Sequence, residues 1–373
     1  MRKTTAADGT NRVDRSGGWE PEAVPDHVAA GDIGLADRTL NAMGVRDRGY
    51  RGVGWSEQLL NELRDLPQGR RHVLARSLAE RHQRAGEAAE FRARALLLAG
   101  VLAADLPGDP LSAERADVLD DLGECHSFWY EDHFSVLVAA ELAAGRSLTP
   151  AAIAAFRRSG MEYGFPAAPL VRAGEEPTDP VLNVGEKWAE HALEEVGPGP
   201  GDPWRALLAH ALTARSAKPS AKWDRLAGQL VVPLGAEPVR EKVVSWLALV
   251  GVPRTFRVRA VFCEDRNFNE VFDPYNALAL RGLAWLLPLL PPHPDAARAL
   301  GALVETSLEK LPGRGPRSAK VAHAGAFALG RIDSGPALAE LDRLAARVTH
   351  KATAKAIDTA RAAHATAVGP GGR

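Results

Sequence analysis

Cysteine is scarce: Cys125 and Cys263 are the only two in 373 residues and lie 138 positions apart. So thin a complement excludes a disulfide framework and fits a reducing compartment. Long apolar runs are missing too. The most apolar stretch, NALALRGLAWLLPLLPP (276–292), is interrupted by Arg281, Pro288, Pro291 and Pro292. It falls short of the roughly 20 residues that a membrane-crossing helix needs, so it predicts a buried core helix. The N-terminal MRKTTAADGTNRVDRSGGWEPE is not followed by the apolar segment of a secretory signal. A cytoplasmic protein without membrane contact is expected. Strand-type alternation is confined to TFRVRAVF (255–262), and one strand makes no sheet, which predicts a loop crossing or a hairpin edge there.

What remains is an ordinary folded composition, 46% hydrophobic and 25% charged, which excludes a mostly disordered chain. The net charge of −1 conceals an asymmetry. Residues 1–204 carry 22 Lys+Arg against 33 Asp+Glu, net −11, whereas residues 205–373 carry 24 against 14, net +10. The halves can complement each other, or the basic half can face an acidic partner.

Helical periodicity begins at Trp55. WSEQLLNELRDL sets Leu59, Leu60, Leu63 and Leu66 on one face before Pro67 stops it. RRHVLARSLAERHQR, EFRARALLLAGVLAADL and LSAERADVLDDL continue in the same amphipathic style. Before Trp55, Gly- and Asp-rich sequence with little periodicity predicts a poorly ordered N-terminal arm, residues 1–54. Two Pro/Gly-rich breaks follow, GMEYGFPAAPLVRAGEEPTDPVLN (160–183) and GPGPGDP (197–203). The second is taken as the principal boundary, giving an N-terminal helical region over 55–196, a repeat region over 204–366 and a flexible tail over 367–373.

The repeat lies in the C-terminal third. Aligning NALALRGLAWLLPLL with VAHAGAFALGRID places Gly282 on Gly325 and Leu286 on Leu329, both at an offset of 43. Ala297, Leu300 and Leu303 match Leu338, Leu341 and Leu344 at 41, as if one connecting loop were shorter. A period in the low forties with two helices per unit predicts an all-α HEAT/armadillo-like α-solenoid of stacked antiparallel helix pairs. Gly282, Ala324, Gly325 and Ala326 would let neighbouring helices approach, with the leucines filling the seam.

The segments KPSAKWDRLAGQL (218–230), VREKVVSWLALVG (239–251), YNALALRGLAWLLPLL (275–290) and GRGPRSAKVAHAGAFALGRI (313–332) carry a resemblance. In order and spacing, the elements Lys-Pro-Ser-x-x-Trp, Asn-x-x-x-Leu-x-Gly-Leu-x-Trp and Gly-Pro-x-x-x-Lys-Val resemble the HEAT-like helical region of bacterial uncharacterised proteins described as similar to a molybdate metabolism regulator. The likeness covers less than half of the chain, and such relatives are usually longer. It implies an α-solenoid with no established reaction.

Several clusters bear on chemistry. ECHSFWYEDH (124–133) gathers one Cys, two His and three acids around aromatics. On a helix, however, His126 and His133 stand about two turns apart, and neither CxxC nor HExxH accompanies them. The simpler expectation is a helix start anchored by Phe128, Trp129 and Phe134, with Glu131 and Asp132 in its first turn. In FCEDRNFNEVFDPYN (262–276), Asp265, Asn267 and Asn269 open like a calcium loop, but Glu270 and Asn276 occupy the positions that need Gly and Glu. A loop that satisfies its own backbone, with Phe262, Phe268 and Phe272 inward, is expected instead. GRGPRSAK lacks the order of a phosphate-binding loop, yet Arg314, Arg317 and Lys320 concentrate charge at a turn and a helix start. Lys218 and Lys222 flank Trp223, an arrangement that stacks on a base or packs the indole inward with both cations outside. Arg281, inside the apolar helix, has to be paired or to reach solvent.

No catalytic residue, cofactor or metal ligand is therefore assigned. The expected role is a non-catalytic scaffold that binds a macromolecule, with protein as the default partner and contacts drawn from Lys218, Lys222, Trp223, Arg281, Arg314, Arg317 and Lys320. One alternative is a nucleic-acid-binding solenoid resembling the HEAT-like alkylpurine DNA glycosylases, using the basic half. Another is a metal- or thiol-dependent enzyme built on 124–133.

Overall fold

A computed structural model describes residues 26–42, 57–84, 89–103, 106, 108–127, 137–138, 140–142, 144–163, 179–197, 199, 201–260 and 268–367. Helix dominates these residues, and none of their helices is long and apolar enough to cross a membrane. The chain divides into two compact units, one formed by residues 1–123 and 128–176, the other by 124–127 and 177–373. The division thus falls in the first Pro/Gly-rich break. The GPGPGDP break, expected as the boundary, lies inside the second unit, because the helix before it packs on helices after it.

The first unit contains α1 (Asp26–Ala42), α2 (Glu57–Arg64), α3 (Gln68–Gln83), α4 (Ala89–Ala103), α5 (Ser112–Gly123) and α6 (Pro150–Tyr163). Helix α1 falls within the arm expected to be poorly ordered over 1–54, the rest of which lies outside the described residues. Its apolar stripe is thinned by Gly31 and Gly34, which is why periodicity did not reveal it, and tertiary packing on α3 and α4 supplies what propensity does not. Leu35, Ala36, Thr39 and Leu40 are buried, and Asp32 accepts from both Nε (2.9 Å) and Nη2 of Arg70 on α3. Helix α2 begins and ends as the leucine spacing predicts, with Leu63 fully buried and Pro67 opening the turn into α3. Deeper in this unit, Arg115 of α5 is fully buried between Asp109 and Glu141, donating Nε to Glu141 at 2.7 Å. Arg146 closes the group by pairing with the same two carboxylates at 2.8 and 2.6 Å. Two cations and two anions cancel, which is how four charges tolerate a dry interior.

The second unit contains α7 (Lys187–Glu195), α8 (Pro203–Ala211), α9 (Ala221–Val231), α10 (Ala236–Ala248), α11 (Asn276–Leu286), a 3-10 turn (Leu287–Leu289), α12 (Pro294–Leu308), α13 (Ala319–Leu329), α14 (Gly335–Arg347) and α15 (Lys351–Ala367). Helices α8, α11, α13 and α15 pack each on the next, and α7, α10, α12 and α14 form a second such row. Contacts α12–α13, α13–α14 and α14–α15 join the rows. Helix α11 is buried at every position except Ala277, as the apolar run predicts. The starts of α11 and α13, Asn276 and Ala319, are 43 residues apart, and those of α12 and α14, Pro294 and Gly335, are 41 apart, the two offsets of the sequence alignment. Leu286, Leu329, Leu300, Leu341, Leu303 and Leu344 all enter one core.

The aligned glycines do not face equivalent neighbours. A Cβ on Gly282 would stand 2.3 Å from the Ala211 carbonyl oxygen of α8, in the same row. A Cβ on Gly325 would stand 2.8 Å from Val304 Cγ2 of α12, in the other row. Both are points of close helix approach, reached from different sides.

Strand content differs in place from the expectation. Among its described residues, 255–260, TFRVRAVF supplies an isolated parallel bridge between Arg259 and Cys125, with His126 N–H donating to Arg259 O and Arg259 N–H to Glu124 O, each at 2.8 Å. A hairpin of two short strands, β1 (Lys310–Leu311) and β2 (Gly315–Pro316), is present instead, with positive φ at Gly313 in its turn and at Gly315 where β2 begins.

Candidate functional site

The structure brings four of the singled-out residues together around the loop 212–220. Ser220 caps α9 by accepting from Trp223 N–H at 3.1 Å, which fixes the loop's exit and leaves Lys218 and Lys222 exposed. Trp223 turns inward: its ring stacks on His210 at 4.5 Å, meets Trp285 edge-on at 5.4 Å, and donates Nε1–H to Thr213 Oγ1 at 2.9 Å. Of the two expectations for this indole, the packed one describes it. The His210 Nε2 lies 3.1 Å from the Trp223 carbonyl oxygen, which only accepts, so Nε2 carries the proton. Burial pulls the His210 pKa below the usual imidazole value, and that hydrogen bond opposes it.

Arg281 lies beneath this loop, 6% exposed. Nη2 donates to the Ser216 carbonyl oxygen, and the guanidinium sits 5.6 Å from the Trp285 ring centre. Its Nε is sealed without an acceptor, as is Trp285 Nε1. No carboxylate among the described residues pairs with it, and burial lowers its pKa from the usual guanidinium value. Burial without a counter-charge is costly for any cation, so this position calls for compensation that the described residues do not supply in full.

Arg314, Arg317 and Lys320 stand in and beyond the hairpin and do not form one cation cluster. Arg314 lies over the Phe268 ring at 4.5 Å. Arg317 binds Glu309 at 2.7 Å and the Glu270 carbonyl oxygen at 2.9 Å, so its charge is already committed. Lys320 is exposed in the first turn of α13. The cluster 124–133 is described only through Ser127. Cys125 and His126 are buried in the extended bridge rather than on a helix, and His126 stacks on Phe268 at 3.9 Å; Phe128 to His133, with the anchoring expected of them, lie outside the described residues. Among the described residues no three His, Cys, Asp or Glu side chains form a group able to hold a metal ion.

A polar group that sequence reasoning passed over lies at the start of α11. Asp273 Oδ1 accepts from the N–H groups of Tyr275 (2.9 Å) and Asn276 (3.3 Å) and from Asn183 Nδ2 (3.0 Å). Asn276 gives Nδ2–H to Asn183 O and to Glu186 Oε2, each at 2.9 Å, and accepts from Asn183 N–H at 2.8 Å. Glu186 also accepts from Asp273 N–H (2.9 Å) and Trp188 Nε1 (3.2 Å). Burial raises the Glu186 pKa above the usual carboxylate value, against the pull of nearby Arg254 and these donors. The signal was present in the Asp-Pro-Tyr-Asn turn, where an acid precedes a helix start. With its bonds satisfied and its members buried, the network can pin residues 183–186 to α11; it presents no solvent-facing nucleophile or base.

In comparisons with known proteins, the chain matches no family model, no curated protein and no solved structure.

Proposed function

We propose that the second unit is a HEAT/armadillo-like α-solenoid, akin to the HEAT-like region that its sequence elements resemble, and that it serves as a non-catalytic scaffold for a protein partner. The observation that carries this reading is the double row of helices, whose starts repeat at the two offsets of the sequence alignment. Stacked helix pairs expose extended surfaces suited to macromolecules. The test is capture by the full-length protein from cell extract, with and without nuclease, followed by reconstitution with the purified candidate. A direct, nuclease-resistant complex supports the scaffold; capture that disappears with nuclease overturns the protein assignment.

The second reading, nucleic-acid binding, draws on the +10 balance of residues 205–373. Labelled duplex and single-stranded oligonucleotides titrated across a salt series test it. Binding that weakens steeply with salt favours phosphate contacts, and no binding at low salt removes this alternative.

A further inference from the structure

The surface around the loop 212–220 carries an inference that rests on the scaffold reading and names the chemistry of its partner. Arg215, Lys218, Lys222 and Arg225 are all exposed, and none has an ion-pair partner among the described residues. The one acid in this stretch, Asp224, is held by Arg331 through two contacts, at 2.8 and 3.3 Å, so it does not neutralise them. Arg281 adds a fifth cation from below. With Nη2 given to Ser216 and Nε sealed, Nη1 is the nitrogen left to take an outside acceptor. On α9, one turn after Lys222, Leu226 is 43% accessible, an apolar neighbour to the charge.

We propose that this surface binds an acidic peptide segment of a protein partner, with a carboxylate on Arg281 Nη1, neighbouring carboxylates on Lys218 and Lys222, and an apolar side chain on Leu226. Charge complementarity selects the occupant. A peptide is favoured over a nucleic acid by how the basic charge is distributed. Elsewhere in the unit the arginines are largely spent on acids: Arg317 on Glu309, Arg343 and Arg347 on Glu305, and Arg361 on Asp342. Lys187, Arg257, Lys310, Lys320, Lys351 and Lys355 are also exposed without an ion-pair partner among the described residues, but only residues 215–225 gather four such cations in one short stretch, and the Trp223 ring that could receive a base is stacked on His210.

The experiment measures fluorescence anisotropy of a labelled twelve-residue peptide of Glu, Asp and Leu with the full-length protein, beside its Gln/Asn/Leu counterpart and a labelled oligonucleotide. The expected result is salt-sensitive binding of the acidic peptide alone, weakened at least about tenfold by the surface pair Lys218→Glu/Lys222→Glu. Arg281→Gln should weaken it too, and the charge-reversed pair keeps the test valid if that variant unfolds. Absence of acidic-peptide binding at low salt, equal binding of the neutral peptide, indifference to the charge-reversed pair, or tighter binding of the oligonucleotide would each overturn the proposal. Loss of this peptide site with an intact nuclease-resistant complex would reject the proposal and leave the scaffold reading standing.

Discussion

Replacing Gly282 with alanine tests the packing of the second unit at its tightest point. The added methyl would stand 2.3 Å from the carbonyl oxygen, 2.4 Å from the Cα and 2.7 Å from the carbonyl carbon of Ala211. All three are backbone atoms, so no rotamer change relieves the clash and α8 and α11 have to separate by about 1 Å to restore ordinary van der Waals distances. Overpacking of a filled core costs roughly 1–3 kcal/mol, occasionally more. Alanine recovers up to about 1 kcal/mol over glycine in a helix interior, which offsets part of that cost. Because the obstacle is backbone, the upper part of the range applies, and Gly282→Ala should lose about 2 kcal/mol net.

Gly228, in the interior of α9, is the internal control. A Cβ there meets nothing within 4 Å, so Gly228→Ala should gain up to about 1 kcal/mol from propensity alone. The same chemical change is thus expected to have opposite signs at two helical glycines. Urea unfolding followed by circular dichroism gives the net stability change, and amide hydrogen exchange of peptides from α8 and α11 localises it. A Gly282→Ala protein as stable as the parent, with unchanged exchange in α8, would refute the close approach of these helices.

Leu286→Ala and Leu329→Ala, at aligned and fully enclosed positions 2% and 0% exposed, should each cost about 2–5 kcal/mol in the same unfolding assay. A loss below about 1 kcal/mol at either would count against that packing. Glu186 gives a pH signature. Its folded pKa is raised above the unfolded value, so the native state holds the proton more tightly and its contribution to stability falls as pH rises from the usual carboxylate pKa through the folded one. Glu186→Gln should flatten that part of the stability–pH profile, and an unchanged profile would mean that Glu186 does not titrate differently in the fold.

Periodicity made legible those elements whose cores it builds. The leucines of α2 and the apolar run of α11 were read in the right places because the leucine spacing matches a helix turn in the first and burial is almost continuous in the second. Helix α1 escaped because two glycines dilute its stripe and its anchor is an ion pair to Arg70, 38 residues away along the chain. The Arg115 network was hidden for a related reason. Arginine on an amphipathic helix reads as a surface residue unless its carboxylate partners are known, and Glu141 lies 26 positions on. The group of Asn183, Glu186, Asp273 and Asn276 likewise joins segments about ninety residues apart, beyond the reach of any local pattern. Of the singled-out cations, Lys218, Lys222 and Arg281 converge, whereas Arg317 is tied to a glutamate that its own segment, GRGPRSAK, does not contain.

Arg281 links the fold to the charge asymmetry. An arginine in the middle of a core helix disrupts packing unless the chain shields it, and here Ser216 and Trp285 share that task without contributing a negative charge. No carboxylate among the described residues neutralises it, whereas Asp109 and Glu141 neutralise Arg115 in the first unit. Arg115 and Arg281 thus show two solutions to one problem, a closed ion network and an open-ended cation. The closed network brings order at no net charge, since its two cations face two carboxylates. The open-ended one leaves a positive field that the loop lysines reinforce rather than screen, and such a field favours an anionic group brought from outside.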